Sequence, residues 1–329
     1  METTNLEAEL HKLQLAREGI ARVVVGQETV VDQLLMALMC GGHVLLEAAP
    51  GMGKTLLVRT TAAVFGMQFS RVQFTPDLMP ADITGTVVLL HDEQGKAQLE
   101  FQPGPVFAQM VLADEINRST PKTQSALLEA MQEHTVTVAG KVHPLPEPFF
   151  VLATQNPIEQ EGTYMLPEAQ VDRFLFKVQL PYPTAEMLTE ILERTTGSTE
   201  ARAEQVLTPQ QVIHLQQLTR AVPMASHVRD AVVKFVLATQ PQESRNSRDV
   251  QRYVRFGVSP RGAQALILAA KAHALLQGRY NVAFSDLEAV LLPSLRHRFN
   301  LNFEGQAEGI QVDPLLQKLF KETVGGPKA

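Results

Sequence analysis

Apolar residues recur along this chain with two periods, and the dominant period changes once. In the first half, short apolar runs at 43–47, 67–74, 110–113, 149–153 and 174–180 have the length and density of buried strands. Segments with helical spacing surround them. Leu6, Leu10, Leu13 and Ile20 sit near that spacing within 5–22. Residues 28–40 form an apolar helix closed by Gly41-Gly42. Residues 54–65 follow a Gly-rich turn at 48–53, and another helix spans 120–133. Strands alternating with helices predict an α/β fold built on a mostly parallel, doubly wound sheet. Two stretches break the alternation. Residues 86–90 and 98–102 flank the turn cluster Asp92-Glu93-Gln94-Gly95, and 135–138 alternate before Ala139-Gly140-Lys141. Both predict antiparallel hairpins inserted in the parallel layer.

After Pro181-Tyr182-Pro183 helical spacing takes over, at 184–195, 208–221, 226–240, 260–277 and 284–297. A boundary near 183 therefore divides an α/β unit, 1–183, from a smaller all-α unit, 184–329. The polar, Arg-rich stretch 241–259 reads as a loop, and the tail 325–329 as a fraying end. The 329 residues fit the same division at ~150 residues per domain.

Composition narrows the classes. With 45% hydrophobic and 19% charged residues the chain is ordinary globular protein. The single Cys40 excludes an intramolecular disulfide and fits a reducing compartment. The first residues lack a basic and then apolar leader, and no apolar run approaches the ~20 residues of a bilayer span, so a soluble, cytoplasmic protein without a membrane span is expected. The net charge of −6 is unevenly spread: residues 1–183 carry 12 Lys+Arg against 21 Asp+Glu, or −9, and the remainder carries +3. A phosphate-tracking duplex surface is a poor match for the first unit. No histidine pair has zinc-ligand spacing with suitable neighbours, and no G-x-S-x-G occurs.

The chemistry-bearing residues lie at strand ends. Ala48-Ala49-Pro50-Gly51-Met52-Gly53-Lys54-Thr55 follows a strand and opens a helix, matching G-x-x-x-x-G-K-[ST] except at Ala48. Gly51 and Gly53 let backbone amides curl around phosphates at a helix N-terminus. Lys54 supplies a point charge for β- and γ-phosphates, and Thr55 a hydroxyl for Mg²⁺. The strand 110–113 ends in Asp114-Glu115: the first carboxylate can hold Mg²⁺, the second can polarise a water for in-line attack. The strand 151–153 leads to Asn156-Pro157, where an amide could orient that water or serve only as a turn. Arg173 and Arg261 could neutralise transition-state charge or make ordinary surface ion pairs.

Read together, these stretches resemble the MoxR-type AAA+ ATPases, of the clade with a helix-2 insertion and a pre-sensor hairpin. The most specific residues are Phe74-Thr75-Pro76-Asp77-Leu78-Met79-Pro80-Ala81-Asp82-Ile83-Thr84-Gly85, Gly104-Pro105-Val106-Phe107, 112–118, 121–131 and 155–164 continuing into 166–174. The resemblance spans nearly the whole chain. It implies an AAA+ phosphate-loop sheet sandwiched by helices with an all-α lid, binding ATP and Mg²⁺. It implies that Lys54 and Thr55 are the Walker A pair, Asp114 and Glu115 the Walker B pair, and Asn156 sensor 1. Arg173 matches the arginine finger, which serves a neighbouring subunit's nucleotide, and Arg261 matches sensor 2. Val25-Gly26-Gln27 matches the stretch near adenine, and Pro50, Gly51, Met52, Gly53 and Leu56 complete the nucleotide-binding set. Two departures are Ala48 for the usual Gly and Met165 for the usual Pro before Leu166-Pro167.

The resemblance further implies a homo-oligomeric ring, a hexamer, that hydrolyses ATP to remodel or activate client proteins, often with a von Willebrand factor A domain partner. Two other readings compete. One is a nucleic-acid motor, kept alive by Arg245, Arg248, Arg252 and Arg255 and opposed by the acidic first unit. The other is a nucleotide-gated scaffold with little turnover.

Overall fold

The computed structural model describes residues 3–91, 97–156, 163–197, 202–243 and 247–324. The turn cluster 92–95, residues 157–162 of the 155–164 stretch, Arg245 and the tail 325–329 lie outside the described residues. Helices α1 (Thr3–Ala21) and α2 (Glu28–Cys40) precede β1 (Val44–Glu47) and α3 (Lys54–Val64). Next come β2 (Phe69–Gln73), α4 (Pro80–Thr84), β3 (Gly85–His91), β4 (Ala97–Pro103) and β5 (Met110–Asp114). A 3-10 turn at Ile116–Arg118 leads to α5 (Pro121–Glu133), β6 (Thr135–Val138), β7 (Lys141–Pro144), β8 (Phe150–Gln155), α6 (Glu168–Val171) and β9 (Phe176–Gln179). The remainder contains α7 (Ala185–Thr196), α8 (Pro209–Ala221), α9 (Ser226–Ala238), α10 (Arg248–Tyr253) and β10 (Val254–Phe256). It ends with α11 (Pro260–Leu276), α12 (Phe284–Leu295), β11 (Asn300–Leu301), α13 (Phe303–Ala307) and α14 (Val312–Thr323).

The main sheet has the order β2-β5-β8-β1-β9, and all its pairings are parallel. Its central strands are apolar on both faces because both faces are covered. The two-residue alternation of a strand divides the core. Val44, Leu46, Met110, Leu112 and Leu152 pack on the face shared with α1, α2 and α3, whereas Leu45, Val111, Ala113, Val151 and Ala153 pack on the face shared with α5. The parallel layer ends with every strand's C-terminal edge on one side, which is where an α/β sheet presents a site.

The hairpins form, but outside the parallel layer. β3 pairs with β4, and β6 with β7, each as a separate two-stranded antiparallel sheet, which corrects the expectation that they interrupt the main sheet. The second closes through Ala139 and Gly140, both at positive φ (49° and 78°), the backbone that a tight two-residue turn requires.

Residues beyond 183 are mainly helical and carry the small β10–β11 ribbon. The expected loop at 241–259 is also corrected: α10 and β10 occupy 248–256. Ser247 caps α10 through the Val250 amide, and Arg252 reaches Glu304 and Glu308 in and beside α13. Helices α8 and α11 pack against α2, so Leu215, Leu266 and Leu291 share one apolar cluster with Val44 and Leu46. No helix of the described residues is long and apolar enough to cross a membrane.

Candidate functional site

The turn between β1 and α3 has the backbone its sequence demands. Gly51 and Gly53 lie at φ 79° and 74°, where an L side chain is strained, and a Cβ at either would meet nothing within 4 Å. Open space therefore lies above the loop. Helix α3 begins at Gly53 with no side-chain cap, leaving its first amides to face that space. Ala48 is not among the positive-φ residues, so its methyl group imposes no left-handed strain; its amide donates to Gln155 O across the sheet (3.3 Å). The departure from glycine at this position is conformationally tolerated.

A cleft of about 280 Å³ joins residues 50–56 to Arg71, Gln73, Asp114 and Glu115. Parallel register brings these together: β2 pairs with β5 so that Gln73 faces Asp114, and β5 pairs with β8. Lys54 is buried, its Nζ 3.5 Å from Ala48 O and 4.0 Å from Asp114 Oδ1. Arg71 Nη2 lies 2.7 Å from Asp114 Oδ2. Thr154, fully buried at the end of β8, donates its hydroxyl to Asp114 Oδ1 (2.7 Å) and accepts the Glu115 amide (2.8 Å). Glu115 sits in the left-handed region (φ 56°, ψ 50°), a conformation unfavourable for a residue with a Cβ. That twist aims its carboxylate away from the strand, where Gln73 Nε2 (3.0 Å) and Arg118 Nη1 (2.9 Å) both donate to Oε2.

Of the other residues expected on the nucleotide side, Gln27 reaches a residue that lines this cleft. Asn156 directly follows β8, one step beyond the Glu47–Gln155 pairing and level with the start of the phosphate loop. Gln27, beside Val25 and Gly26, donates its Nε2 to Met52 O (3.3 Å), and its buried Oε1 has no partner. Gly26 (φ 67°) lies under Met187 of α7.

The residues present fit a nucleotide with Mg²⁺. Uncapped amides and Lys54 suit phosphates, the orphaned Gln27 oxygen suits a base amine, and Thr55 with Asp114 offers hard oxygen ligands. Magnesium is characteristically held by one or two protein oxygens together with substrate phosphates.

Arg173 and Arg261 are somewhere else. They share a second cavity of about 250 Å³ with Gly41, Gly42, His43 and Arg298. Residues 41–43 precede β1, while the phosphate loop follows it. The two sites are therefore separated by the length of that strand, ~13 Å for four residues. Arg261 is exposed in the first turn of α11, whose start is capped by Ser259 accepting the Gly262 amide (3.1 Å). His43 beneath is buried and holds one neutral tautomer: Nε2 donates to Met131 O (3.0 Å) and Nδ1 accepts the Val151 amide (3.1 Å). Burial pulls its pKa down to about 4.

Thr154, Arg71, Gln73 and Arg118 were missing from the sequence reading. A signal existed for Thr154: aligning the ends of the strands at 110–113 and 151–153 puts it opposite Asp114. Of the Arg-rich run, Arg252 is paired with Glu304 and Glu308 and Arg255 lies over the Phe256 ring, so these two do not form a free basic strip.

The fold and cleft are those of an AAA+ nucleotide-binding module, and the comparisons agree. The ATPase family associated with various cellular activities (AAA) matches residues 43–176, and the AAA lid domain matches 246–319. Chaperone MoxR1 of Mycobacterium tuberculosis is 44% identical over 98% of this chain and 84% of its own length. Protein MoxR of Paracoccus denitrificans is 33% identical over 93% and 94%. The crystal structure of a candidate ATPase from Cytophaga hutchinsonii superimposes with a TM-score of 0.90 at 38% identity, covering 96% of this chain and 95% of that one. The chain belongs to the MoxR family of AAA+ ATPases.

Proposed function

We propose that this protein hydrolyses ATP at composite sites between the subunits of a ring, most simply a hexamer, and uses the cycle to remodel client proteins. The observation that carries the reading is the separation of two half-sites. Lys54, Asp114 and Glu115 line one cleft, while Arg173 and Arg261 line another at the opposite end of β1. Neither arginine is placed to serve its own subunit's phosphates, so each serves the next subunit across a heterologous interface that closes a ring.

In this reading the loop amides and Lys54 bind the phosphates, and Thr55 and Asp114 would hold Mg²⁺, which would supply neutralisation of phosphate charge. Glu115 takes proton density from the attacking water, and Asn156 orients that water. For this the Glu115 carboxylate must leave Gln73 and Arg118, which hold it here. Arg173 and Arg261 of the neighbour offset developing negative charge. Val25, Gly26 and Gln27 receive the base.

The client-directed role draws on the relative named Chaperone MoxR1, and we extend it to a partner carrying a von Willebrand factor A domain. A Glu115→Gln trap loaded with ATP and used in pull-down should retain such a partner. Recovery of nucleic acid, rather than protein, with salt-sensitive binding would support a motor instead. A soluble cytoplasmic setting suits the role. Phosphate release stimulated by no more than background would support a nucleotide-gated scaffold.

A further inference from the structure

Arg298 lies three residues beyond α12 with its side chain 2% exposed, yet it is not part of the phosphate cleft. A guanidinium has five N–H donors, and all five are used here. Nε donates to Asp172 Oδ1 (2.6 Å). Nη2 donates to Asp172 O (2.8 Å) and Phe174 O (2.7 Å). Nη1 donates to Leu175 O (3.0 Å) and to Ser294 O near the end of α12 (2.5 Å). His297 adds a bond from Nε2 to Phe174 O (3.0 Å). The acceptors at 172, 174 and 175 bracket Arg173. On its other side the Arg298 stem lies against Gly262, where a Cβ would be 2.9 Å from Cδ; Gly262 adjoins Arg261.

We propose that Arg298 is a positioning residue that locks the Arg173 turn to the lid, so that Arg173 and Arg261 meet a neighbouring subunit's nucleotide as one rigid unit. The proposal rests on the reading of Arg173 as acting between subunits. Its physical basis is directional. Apolar filling of similar volume stabilises a buried site about as well as a buried ion pair does, but only a planar fork of donors fixes the orientation of the three carbonyls at 172, 174 and 175, on either side of Arg173. A displacement of ~1 Å in a catalytic group costs on the order of 10²-fold in rate. Holding the turn that carries Arg173 is therefore worth far more to turnover than to folding.

The test uses the full-length protein and Arg298→Lys, which keeps the charge beside Asp172 and loses the fork. Binding of a fluorescent ATP analogue should be unchanged, because the variant's own phosphate cleft is intact, while ATP turnover should fall about 10²-fold. Mixed rings then separate donating from receiving. With Glu115→Gln partners, Arg298→Lys subunits receive a correctly held Arg173 and activity should recover. With Arg173→Ala partners no subunit donates well, and activity should stay low. The Arg173→Ala plus Glu115→Gln mixture, with subunit exchange followed by labelled protomers, serves as the control. If the control fails, the reading between subunits falls and takes this proposal with it. If the control recovers but Arg298→Lys also rescues Arg173→Ala, or turns over normally, Arg298 does not position the arginine. Should Arg298→Lys not fold, Asp172→Asn, which keeps an acceptor for Nε and removes its charge, enters the same mixtures with the same expected pattern and the same overturning result.

Discussion

Thr154 joins the stability of the sheet to the proposed chemistry at its edge, and Thr154→Val perturbs both. The substitution preserves shape and β-branching, so it opens no cavity and the strand retains its packing. It removes two hydrogen bonds made by one fully buried hydroxyl, to Asp114 Oδ1 at 2.7 Å and from the Glu115 amide at 2.8 Å. The first is charge-assisted, of a kind contributing ~1.5–3 kcal/mol, and the amide left behind is penalised by ~1–3 kcal/mol. Asp114 keeps Lys54 and Arg71 nearby, which moderates the loss. We expect destabilisation of ~2–4 kcal/mol by urea unfolding of the nucleotide-free protein. Thr154→Ser keeps the hydroxyl and loses one buried methyl, so it should cost only ~1 kcal/mol. Turnover supplies the second readout. The amide bond holds Glu115 in its left-handed twist (φ 56°). Once released, the backbone relaxes and the carboxylate moves, so Thr154→Val should lose about 10²-fold in turnover while Thr154→Ser stays near wild type. A valine variant that matches wild type in both unfolding midpoint and turnover would refute the reasoning.

Other consequences can be measured separately. Glu115→Gln should bind ATP normally and lose at least ~10²-fold in phosphate release, since an amide cannot accept the proton; near-normal turnover would remove Glu115 from its role. Lys54→Ala should weaken ATP binding, read by titration of a fluorescent analogue, through loss of the cation facing the phosphates. His43, lowered by burial from 6.5 to about 4, is neutral when folded, so the unfolded chain binds the additional proton between those values. Stability should therefore fall as pH drops from 6.5 toward 4, by about 3 kcal/mol from this residue; unfolding midpoints unchanged between pH 7 and 4.5 would contradict it. His297, also held neutral by burial, acts in the same direction. ATP analogue with Mg²⁺ should shift the protein to larger particles in sedimentation, and a monomer under both conditions at micromolar protein would argue against assembly at the nucleotide site.

Much of this structure was legible because it is local. The phosphate loop and the Asp114-Glu115 strand end each declare themselves within eight residues, through glycine conformation and apolar runs, and the helix at 260–277 through its spacing. What escaped depends on partners distant in sequence. α10 is a six-residue helix held by Arg252 reaching Glu304 and Glu308, more than 50 positions on, so a local reading saw only a polar loop. The hairpins were recognised from alternation and turn residues, but nothing local says whether a hairpin joins the main sheet or stands apart. Thr154 and Arg71 meet Asp114 only through parallel register across about 40 residues of chain. The spacing of the two arginines in the sequence left charge neutralisation and ordinary surface pairing both open and did not bring them together; only folding puts them in one cavity.

The proposed division of catalytic groups between two faces is tested most directly by mixing Arg173→Ala with Glu115→Gln. Alone, each variant should be inactive, because every site lacks either its Arg173 or its Glu115. In mixed rings an Arg173→Ala subunit keeps an intact cleft and receives Arg173 from a Glu115→Gln neighbour, so turnover should rise well above the sum of the two separate backgrounds, as an arginine supplied from a neighbour is worth ~10³-fold or more. If labelled protomers show that subunits exchange and turnover nevertheless stays at background, Arg173 does not act across the interface, and the composite site is wrong.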